Sequence, residues 1–248
     1  MAYGEFAAVY DRLMDDFDYP KWAEYYLALL RRGGIVPKTI CECACGTGSL
    51  TEQFAAAGIR VIASDLSAEM LEEARKKLLA RGVQAMLVCR DMCRMEVPKP
   101  VDAVICGCDG VNYLTSDAQL TGFFRSAYAM LKPGGMLAFD ISSEYKLREV
   151  IGSAFFGEER NNIAYLWSNN WNEKAQTVDM DLTFFVCEKD GRYKRFEEHH
   201  IQKAHSASHL EELLRECGFE NIEIYGDRTF EAPQEKELRI HMTARRSI

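Results

Sequence analysis

The sequence predicts an α/β fold, in which a seven-stranded and mostly parallel sheet carries helices on both faces and an antiparallel β insertion follows the fifth strand. Three observations support this prediction. Strand and helix patterns alternate along residues 35–145, as they do in right-handed βαβ units. A glycine-punctuated turn at residues 46–48 follows an apolar strand. Residues 163–203 contain strand patterns alone.

Composition limits the class of protein. The 248 residues are 48% hydrophobic, which is enough for one α/β core. A net charge of −8 disfavours a broad nucleic-acid surface, because such a surface needs clustered lysine and arginine. There is no basic segment followed by an apolar one near residue 1, and no apolar run is long enough to span a bilayer. We therefore expect a cytoplasmic protein with no membrane partner, and we make no prediction about its oligomeric state.

One domain, residues 1–248, is expected, with four segments. Helical spacing of apolar residues and Pro20 predict two helices at the start, and Ser206 is expected to cap a helix near the end. The four segments are a helical cap (1–34), the parallel core (35–145), an antiparallel insertion (146–205) and a final helix with two closing strands (206–248).

The first strand and its turn indicate a ligand site. Cys41, Cys43 and Cys45 alternate along the apolar strand, so they are expected to share one side of it. Gly46 and Gly48 let the backbone turn tightly and approach a ligand closely. A helix is expected next, over residues 51–57.

The residues around this turn indicate the kind of ligand. The second strand ends at Asp65, seventeen residues after Gly48, where a carboxylate can bind ribose hydroxyls. NAD also satisfies that requirement. The pattern E-x-A-x-G-x-G, which begins at Glu42, lacks the G-x-G-x-x-G spacing that seats a pyrophosphate. A cofactor with a ribose and no phosphate fits better.

Three more segments follow in order. Arg90-Asp91-Met92 comes after a third strand, DAVICGC at residues 102–108 reads as a fourth strand, and LKPGG at residues 131–135 precedes a fifth. Together with the glycine turn, these segments resemble the class I S-adenosylmethionine (SAM) dependent methyltransferases, a Rossmann-like family, over residues 10–141. The resemblance implies that SAM is the cofactor and that the protein is an enzyme that transfers its methyl group.

The resemblance also implies roles for particular residues. Glu42 and the glycine turn hold the amino-acid half of SAM, Asp65 binds the ribose and Leu66 packs on adenine. Asp91 and the backbone of Met92 meet the adenine ring. The implied cofactor contacts are Tyr10, Glu42, Ala44, Gly46, Gly48, Asp65, Leu66, Asp91, Met92 and Gly107. The chain departs from the family at Ala44, where glycine is usual and where a methyl group crowds the methionine part of SAM.

Nine cysteines raise the possibility of a metal or disulfide site. No C-x-x-C pair occurs, and zinc sites usually show that spacing. A cytoplasmic location also disfavours structural disulfides. We expect small buried thiols and no metal. Cys108, at the cofactor edge, leaves a redox or metalloid-handling thiol open as an alternative.

Candidates for acid–base catalysis follow the fourth strand and lie in the insertion. A base is needed only when the acceptor carries a proton that must leave. The candidates are Asp109, Tyr113 and His200, with His199 as the alternative histidine, although Asp109 could instead cap a turn and Tyr113 could only pack. On strand 193–203, Glu198, His200 and Gln202 share one face. That face either meets the substrate or belongs to a solvated edge strand.

The function we predict is methyl transfer from SAM to a small molecule by in-line displacement. The acidic charge favours a small molecule over nucleic acid, as does the lack of a [DNS]-P-P-[YFW] motif after the fourth strand. The local sequence is similar to small-molecule N-methyltransferases. Three alternatives stay open: an RNA or protein methyltransferase, a SAM-binding module without catalysis, and a nucleotide-dependent oxidoreductase.

Overall fold

The computed structural model describes residues 5–248, which form two sheets and six α-helices. The strands are β1 (Thr39–Cys43), β2 (Arg60–Asp65), β3 (Met86–Cys89), β4 (Val101–Cys106), β5 (Leu131–Ser142), β6 (Phe155–Arg160), β7 (Ile163–Asn172), β8 (Thr177–Cys187), β9 (Tyr193–Lys203), β10 (Phe219–Tyr225) and β11 (Arg239–Arg246). The helices are α1 (Ala7–Leu13), α2 (Tyr19–Arg32), α3 (Ser49–Ala56), α4 (Ala68–Arg81), α5 (Asp117–Met130) and α6 (Ala207–Glu216). None of these six helices is both long and apolar enough to cross a bilayer.

The larger sheet confirms the predicted fold class. Its seven strands lie in the order β10-β11-β5-β4-β1-β2-β3. β11 is antiparallel to β5 and to β10, and all other neighbours are parallel. Helices α2 and α3 pack on one face, and α5 and α6 pack on the other. The carboxyl ends of β1 to β5 meet at one edge, the carboxyl edge, where α/β folds bind ligands. The opposite edge is the amino edge.

Three boundaries differ from those that the sequence predicts. β5 begins at Leu131, so the LKPGG segment belongs to the strand rather than preceding it, and the pairing with β4 shifts register between Val101 and Ala103 to accommodate it. β4 ends at Cys106 rather than at Cys108, because Cys108 and Asp109 have φ values of 57° and 56°, which a strand does not accommodate. Helix α3 begins at Ser49, two residues before the predicted start, and ends at Ala56. Ser206 caps α6 as expected and accepts a hydrogen bond from the backbone N–H of His209 at 3.3 Å.

The expectation that three cysteines share one side of the first strand is wrong for Cys45. Cys41 and Cys43 pack in the core on the side of α5, whereas Cys45 packs with α2 and α3 on the other side. The strand ends at Cys43, and Ala44 has a φ of 53°, so the alternation stops there. All nine cysteines are free thiols. Between residues 5 and 248, no three His, Cys, Asp or Glu side chains are grouped to hold a metal.

The insertion forms a second, antiparallel sheet in the order β6-β7-β8-β9. The sequence predicts its last three strands, because their apolar residues alternate. It does not predict β6, since five of the six residues in that strand are exposed and show no alternation.

Helix α1 lies between the core and the insertion. Its apolar side packs Val9 and Leu13 against Met70 of α4 and Phe184 of β8. Beyond its end, Arg160 of β6 forms ion pairs with Asp15 at 3.2 Å and Asp16 at 3.3 Å. The predicted helical cap therefore contacts both layers of the molecule.

Candidate functional site

The turn between β1 and α3 is strained at a residue that is not glycine. Ala44, Gly46 and Gly48 have φ values of 53°, 53° and 72°. A Cβ at Gly48 would lie 2.9 Å from the Cβ of Ala74 on α4, so only glycine fits there. Ala44 holds its methyl group in the same left-handed conformation at a cost of about 1 kcal/mol. Strain of this kind concentrates at functional sites.

Asp65 joins the end of β2 to this turn. Its Oδ2 accepts a hydrogen bond from the backbone N–H of Gly46 at 2.8 Å, and its Oδ1 accepts one from that of Ser67 at 2.9 Å. Burial raises the pKa of Asp65, and these hydrogen bonds oppose the rise. The next residue, Leu66, is 75% exposed, so an apolar surface lies beside the carboxylate at the carboxyl edge.

Glu42 on β1 is a buried acid with one short hydrogen bond. The residue is 2% exposed, and its Oε2 accepts a hydrogen bond from the hydroxyl of Thr51 at 2.5 Å. Burial raises the pKa of Glu42 to about 8, with a further rise from Asp65, while Thr51 and Lys77 oppose it. Such a carboxyl group is largely protonated at pH 7, and a cation beside it favours the charged form.

The end of β3 brings two more predicted residues to the carboxyl edge. Asp91 begins the short 3₁₀ turn Met92–Arg94, and its Oδ1 accepts a hydrogen bond from the backbone N–H of Cys93 at 2.9 Å. The sulfur of Met92 lies 4.0 Å from that of Cys106 at the end of β4. These residues therefore lie beside the start of the next turn.

Residues 107–109 form that second turn, after β4. A Cβ at Gly107 would lie 2.8 Å from the Cδ1 of Leu50 and 3.3 Å from the ring of Tyr26, so the position requires glycine. Cys108 and Asp109 follow in the left-handed conformation. Two consecutive residues that are not glycine are thus held in a conformation that such residues usually avoid.

Asp140 of β5 holds this turn from the neighbouring strand. Its carboxylate accepts hydrogen bonds from the backbone N–H groups of Cys108 at 2.7 Å and Asp109 at 2.9 Å. The hydroxyl of Tyr26 donates to it at 2.5 Å, and the guanidinium of Arg239 donates to its other oxygen. We call these five residues the Asp140 cluster.

The side chain of Asp109 connects the core to the insertion. It does not cap the 3₁₀ turn Gly110–Tyr113, which was one of the roles open to it. Instead it accepts hydrogen bonds from Arg239 of β11 at 2.8 Å and from Gln202 of β9 at 3.0 Å. Burial disfavours the charged form, but Arg239 and Lys146 outweigh burial and lower the pKa of Asp109 to about 2.

One face of β9 points into the molecule. Glu198, His200 and Gln202 are 7%, 6% and 4% exposed, so the solvated-edge alternative does not hold for this face. His199 lies on the outer face and forms a hydrogen bond with Asp181 at 2.7 Å. The period-two alternation of the sequence therefore assigns the inner residues correctly.

His200 and Tyr113 meet on the inner side of this strand. Their rings lie edge to face, with centroids 6.0 Å apart. The ring of Phe6 lies 6.3 Å from that of His200. Burial, with a contribution from His199, lowers the pKa of His200 to about 4. At pH 7 the imidazole is therefore neutral, and it lies on the same face of β9 as Gln202, which reaches Asp109.

Helix α1 adds two residues to this region. Asp11 forms an ion pair with Lys77 of α4 at 2.8 Å and accepts a hydrogen bond from the hydroxyl of Thr47 at 2.7 Å. Burial raises the pKa of Tyr10, with smaller effects from Tyr19 and others, so its hydroxyl stays protonated. The helix is thus anchored over the glycine turn.

Three residues of this region, Asp140, Arg239 and Tyr26, are not among those that the sequence predicts. A weak signal existed for Asp140, which is the single charge in the apolar strand at residues 136–141. No local signal marks Arg239, because only the pairing of β11 with β5 brings it to Asp140.

Comparisons with known proteins agree with this geometry. A family model described as a methyltransferase domain matches residues 40–135. A methyltransferase homologue of Geobacillus sp. (strain WCH70) is 34% identical over 247 residues, which covers 99% of this chain and all of that protein. An N,N-dimethyltransferase of Streptomyces fradiae, named for a dTDP-linked amino sugar, is 29% identical over 55% of this chain and 53% of its own length.

A solved structure shows the same fold along the full length. The crystal structure of an S-adenosylmethionine-dependent methyltransferase from Clostridium acetobutylicum superposes with a TM-score of 0.89 at 31% identity, covering 99% of each chain. The chain therefore belongs to the class I SAM-dependent methyltransferases, enzymes whose cofactor is SAM.

Proposed function

We propose that this enzyme transfers the methyl group of SAM to a nitrogen atom of a small molecule. The observation that carries the proposal is the neutral, buried His200 against Tyr113, which ends the short helical turn that follows Asp109. The relative from Streptomyces fradiae, named as an N,N-dimethyltransferase, supports nitrogen as the acceptor atom. The net charge of −8 disfavours nucleic acid. The cytoplasmic location and the four-segment division of the chain stay predictions.

The carboxyl edge fits the adenosine part of SAM. Asp65 would accept hydrogen bonds from the ribose hydroxyls, since its carboxylate lies at the end of β2 beside the glycine turn. The exposed Leu66 would give the adenine ring an apolar surface. Asp91 and the backbone of Met92, at the end of β3, would hold the polar edge of that ring.

The glycine turn and the turn at residues 107–109 fit the methionine part. Glu42 would pair with the ammonium group of SAM, because a buried acid with a raised pKa gains most from a cation. Gly46 and Gly48, together with Ala44, would carry the backbone close to the carboxylate end. Gly107, where a Cβ has no room, would offer its carbonyl, and Tyr10 would cover the site from α1.

The chemistry asked of the protein is modest. When bound, SAM supplies a methyl group on a positively charged sulfur, which a nitrogen lone pair displaces in line. His200, which is neutral at pH 7, would accept a hydrogen bond from the acceptor N–H and so aim the nitrogen lone pair at the methyl group, and Tyr113 would hold the imidazole in place. Asp109 is already engaged by the protein, because both of its oxygens accept hydrogen bonds, from Gln202 and from Arg239. We assign Asp109 a positioning role.

The replacement His200→Gln tests this proposal. We expect kcat with a small amine to fall by a factor of about 100, the size of loss that misplacement of a reacting atom causes, while the Kd for S-adenosylhomocysteine changes less than about twofold. The activity of the unmodified enzyme should be lost as pH falls through the pKa of His200, about 4. Transfer of labelled methyl from SAM to a panel of small amines measures kcat, and calorimetry measures Kd.

His199→Gln is the matched control, because His199 lies one residue away on the exposed face of the same strand. It should leave both quantities unchanged. Methyl transfer to RNA or protein and not to amines would contradict the acceptor class. Binding of S-adenosylhomocysteine with no transfer to any acceptor would identify a non-catalytic module.

A further inference from the structure

All acceptor positions of the Asp140 carboxylate are occupied by hydrogen bonds from the protein itself. Asp140 is 0% exposed, and four donors reach it: two backbone N–H groups, the hydroxyl of Tyr26 and the guanidinium of Arg239. A carboxylate offers about four acceptor positions, so none is left for water or ligand. Asp140 can therefore influence the reaction only through the groups that it holds.

Two of those groups belong to the strained turn. Oδ1 of Asp140 accepts the N–H of Cys108 at 2.7 Å, and Oδ2 accepts that of Asp109 at 2.9 Å. Both residues have positive φ values, which persist only where the surroundings over-determine the backbone. The side chain of Asp140, on the neighbouring strand, thus fixes the backbone conformation of residues 107–109.

Arg239 completes the arrangement from β11. Its guanidinium lies between the carboxylates of Asp109 and Asp140 and over the ring of Trp22 at 5.0 Å. The side chain of Arg239 is only 12% exposed. The buried guanidinium therefore acts on the turn in two ways. It pairs with Asp140, which holds the backbone of the turn, and it pairs directly with the side chain of Asp109.

We propose that Asp140 and Arg239 are positioning residues for SAM binding. They hold the 107–109 turn so that the carbonyl of Gly107 faces the methionine end of the cofactor while the side chain of Asp109 stays on the insertion side. This inference rests on the proposed placement of SAM at Gly107. Neither residue contributes a group to the reaction, and both act through the turn.

A purely structural role for this ion pair is the competing explanation, since buried pairs also influence stability. Asp102 at the amino edge provides the comparison. Its carboxylate accepts hydrogen bonds from the backbone N–H groups of Lys38 and Thr39, both at 2.8 Å, and from the Nζ of Lys132 at 2.6 Å. Asp102 has the same kinds of partner, but it lies at the opposite edge of the sheet from the turn at residues 107–109.

The test compares Asp140→Asn with Asp102→Asn. An amide retains one acceptor oxygen and turns an NH2 group toward a donor, so Asp140→Asn should release one N–H of the turn. We expect the Kd for S-adenosylhomocysteine, measured by calorimetry, to rise about tenfold or more in Asp140→Asn and less than about twofold in Asp102→Asn. Thermal unfolding of the same samples gives the loss of Tm. A folded Asp140→Asn protein with the Kd of the unmodified enzyme would overturn the proposal.

Tyr26→Phe keeps the proposal testable if Asp140→Asn does not fold. It removes one hydroxyl donor from the carboxylate and keeps the ring, and we expect a Kd about threefold higher. No change in Kd for Tyr26→Phe, with Asp140→Asn unfolded, would also count against positioning. Failure of the proposed function would look different, because an enzyme that binds S-adenosylhomocysteine but methylates no amine leaves these binding results intact.

Discussion

Asp102 and Asp140 lie at opposite edges of one sheet and form the same kinds of hydrogen bond, but they stabilise different kinds of backbone. Asp102 joins the starts of β1 and β4, where no residue has a positive φ, and its partner Lys132 is 46% exposed. Asp140 is fully buried, and it holds a turn with two left-handed residues. Its partner Arg239 is 12% exposed. Of these two aspartates, the fully buried one is the one that holds the backbone in an unfavourable conformation.

The largest difference in stability between the two edges is expected when the cationic partner of each aspartate is removed. Arg239→Ala leaves two carboxylates, those of Asp109 and Asp140, without their cation, and we expect it to lower the free energy of unfolding by about 3–5 kcal/mol. Lys132→Ala removes a half-exposed ion pair and should cost about 1 kcal/mol or less. Urea unfolding measures both values. Equal losses would show that burial does not distinguish the two edges.

The acids of the two edges should respond to pH in opposite directions. Glu42, with a pKa raised to about 8 from 4.5, contributes stability below pH 4.5 that is lost as pH rises toward 8. Burial opposes ionisation of Asp102, but Lys132, Lys38 and Thr39 outweigh it and lower the pKa from 3.8 to about 2. Asp102 therefore contributes stability above pH 3.8 that is lost as pH falls toward 2.

Unfolding free energies measured between pH 2 and pH 8 test this contrast. Glu42→Gln should flatten the upper part of the profile by about 4 kcal/mol and Asp102→Asn the lower part by about 2 kcal/mol. If Glu42→Gln left the slope of the unfolding free energy between pH 5 and pH 8 unchanged, the raised pKa of Glu42 would be contradicted.

The smallest expected effect is at Ala44. Ala44→Gly relieves a φ of 53° but adds freedom to the unfolded chain, so stability should change by less than about 1 kcal/mol. Removing the methyl group should tighten S-adenosylhomocysteine binding about twofold to threefold, an effect of about 0.5 kcal/mol. Asn162→Gly, at a left-handed residue of the insertion, is the control and should leave binding unchanged. Weaker binding by Ala44→Gly would show that the methyl group helps to shape the site.

The parts of the fold that depend on local pattern could be predicted from the sequence. The parallel core follows from alternation, and the inward face of His200 follows from the period of a strand. The neutral state of His200 could not be predicted, because it depends on burial by other elements such as Phe6. β6 lacks a pattern, and Arg239 reaches Asp140 across 99 residues through strand pairing alone.

The reversed direction of β11 has a consequence for biosynthesis. Because β11 runs antiparallel to β5, its first residue, Arg239, lies at the carboxyl edge. Asp140 is synthesised 99 residues before this counter-ion, an interval of about 5 to 20 s on the ribosome. Until β11 pairs with β5, the buried carboxylates of Asp109 and Asp140 lack their guanidinium partner. A nascent chain can therefore form the parallel strands well before the turn at residues 107–109 reaches its final conformation.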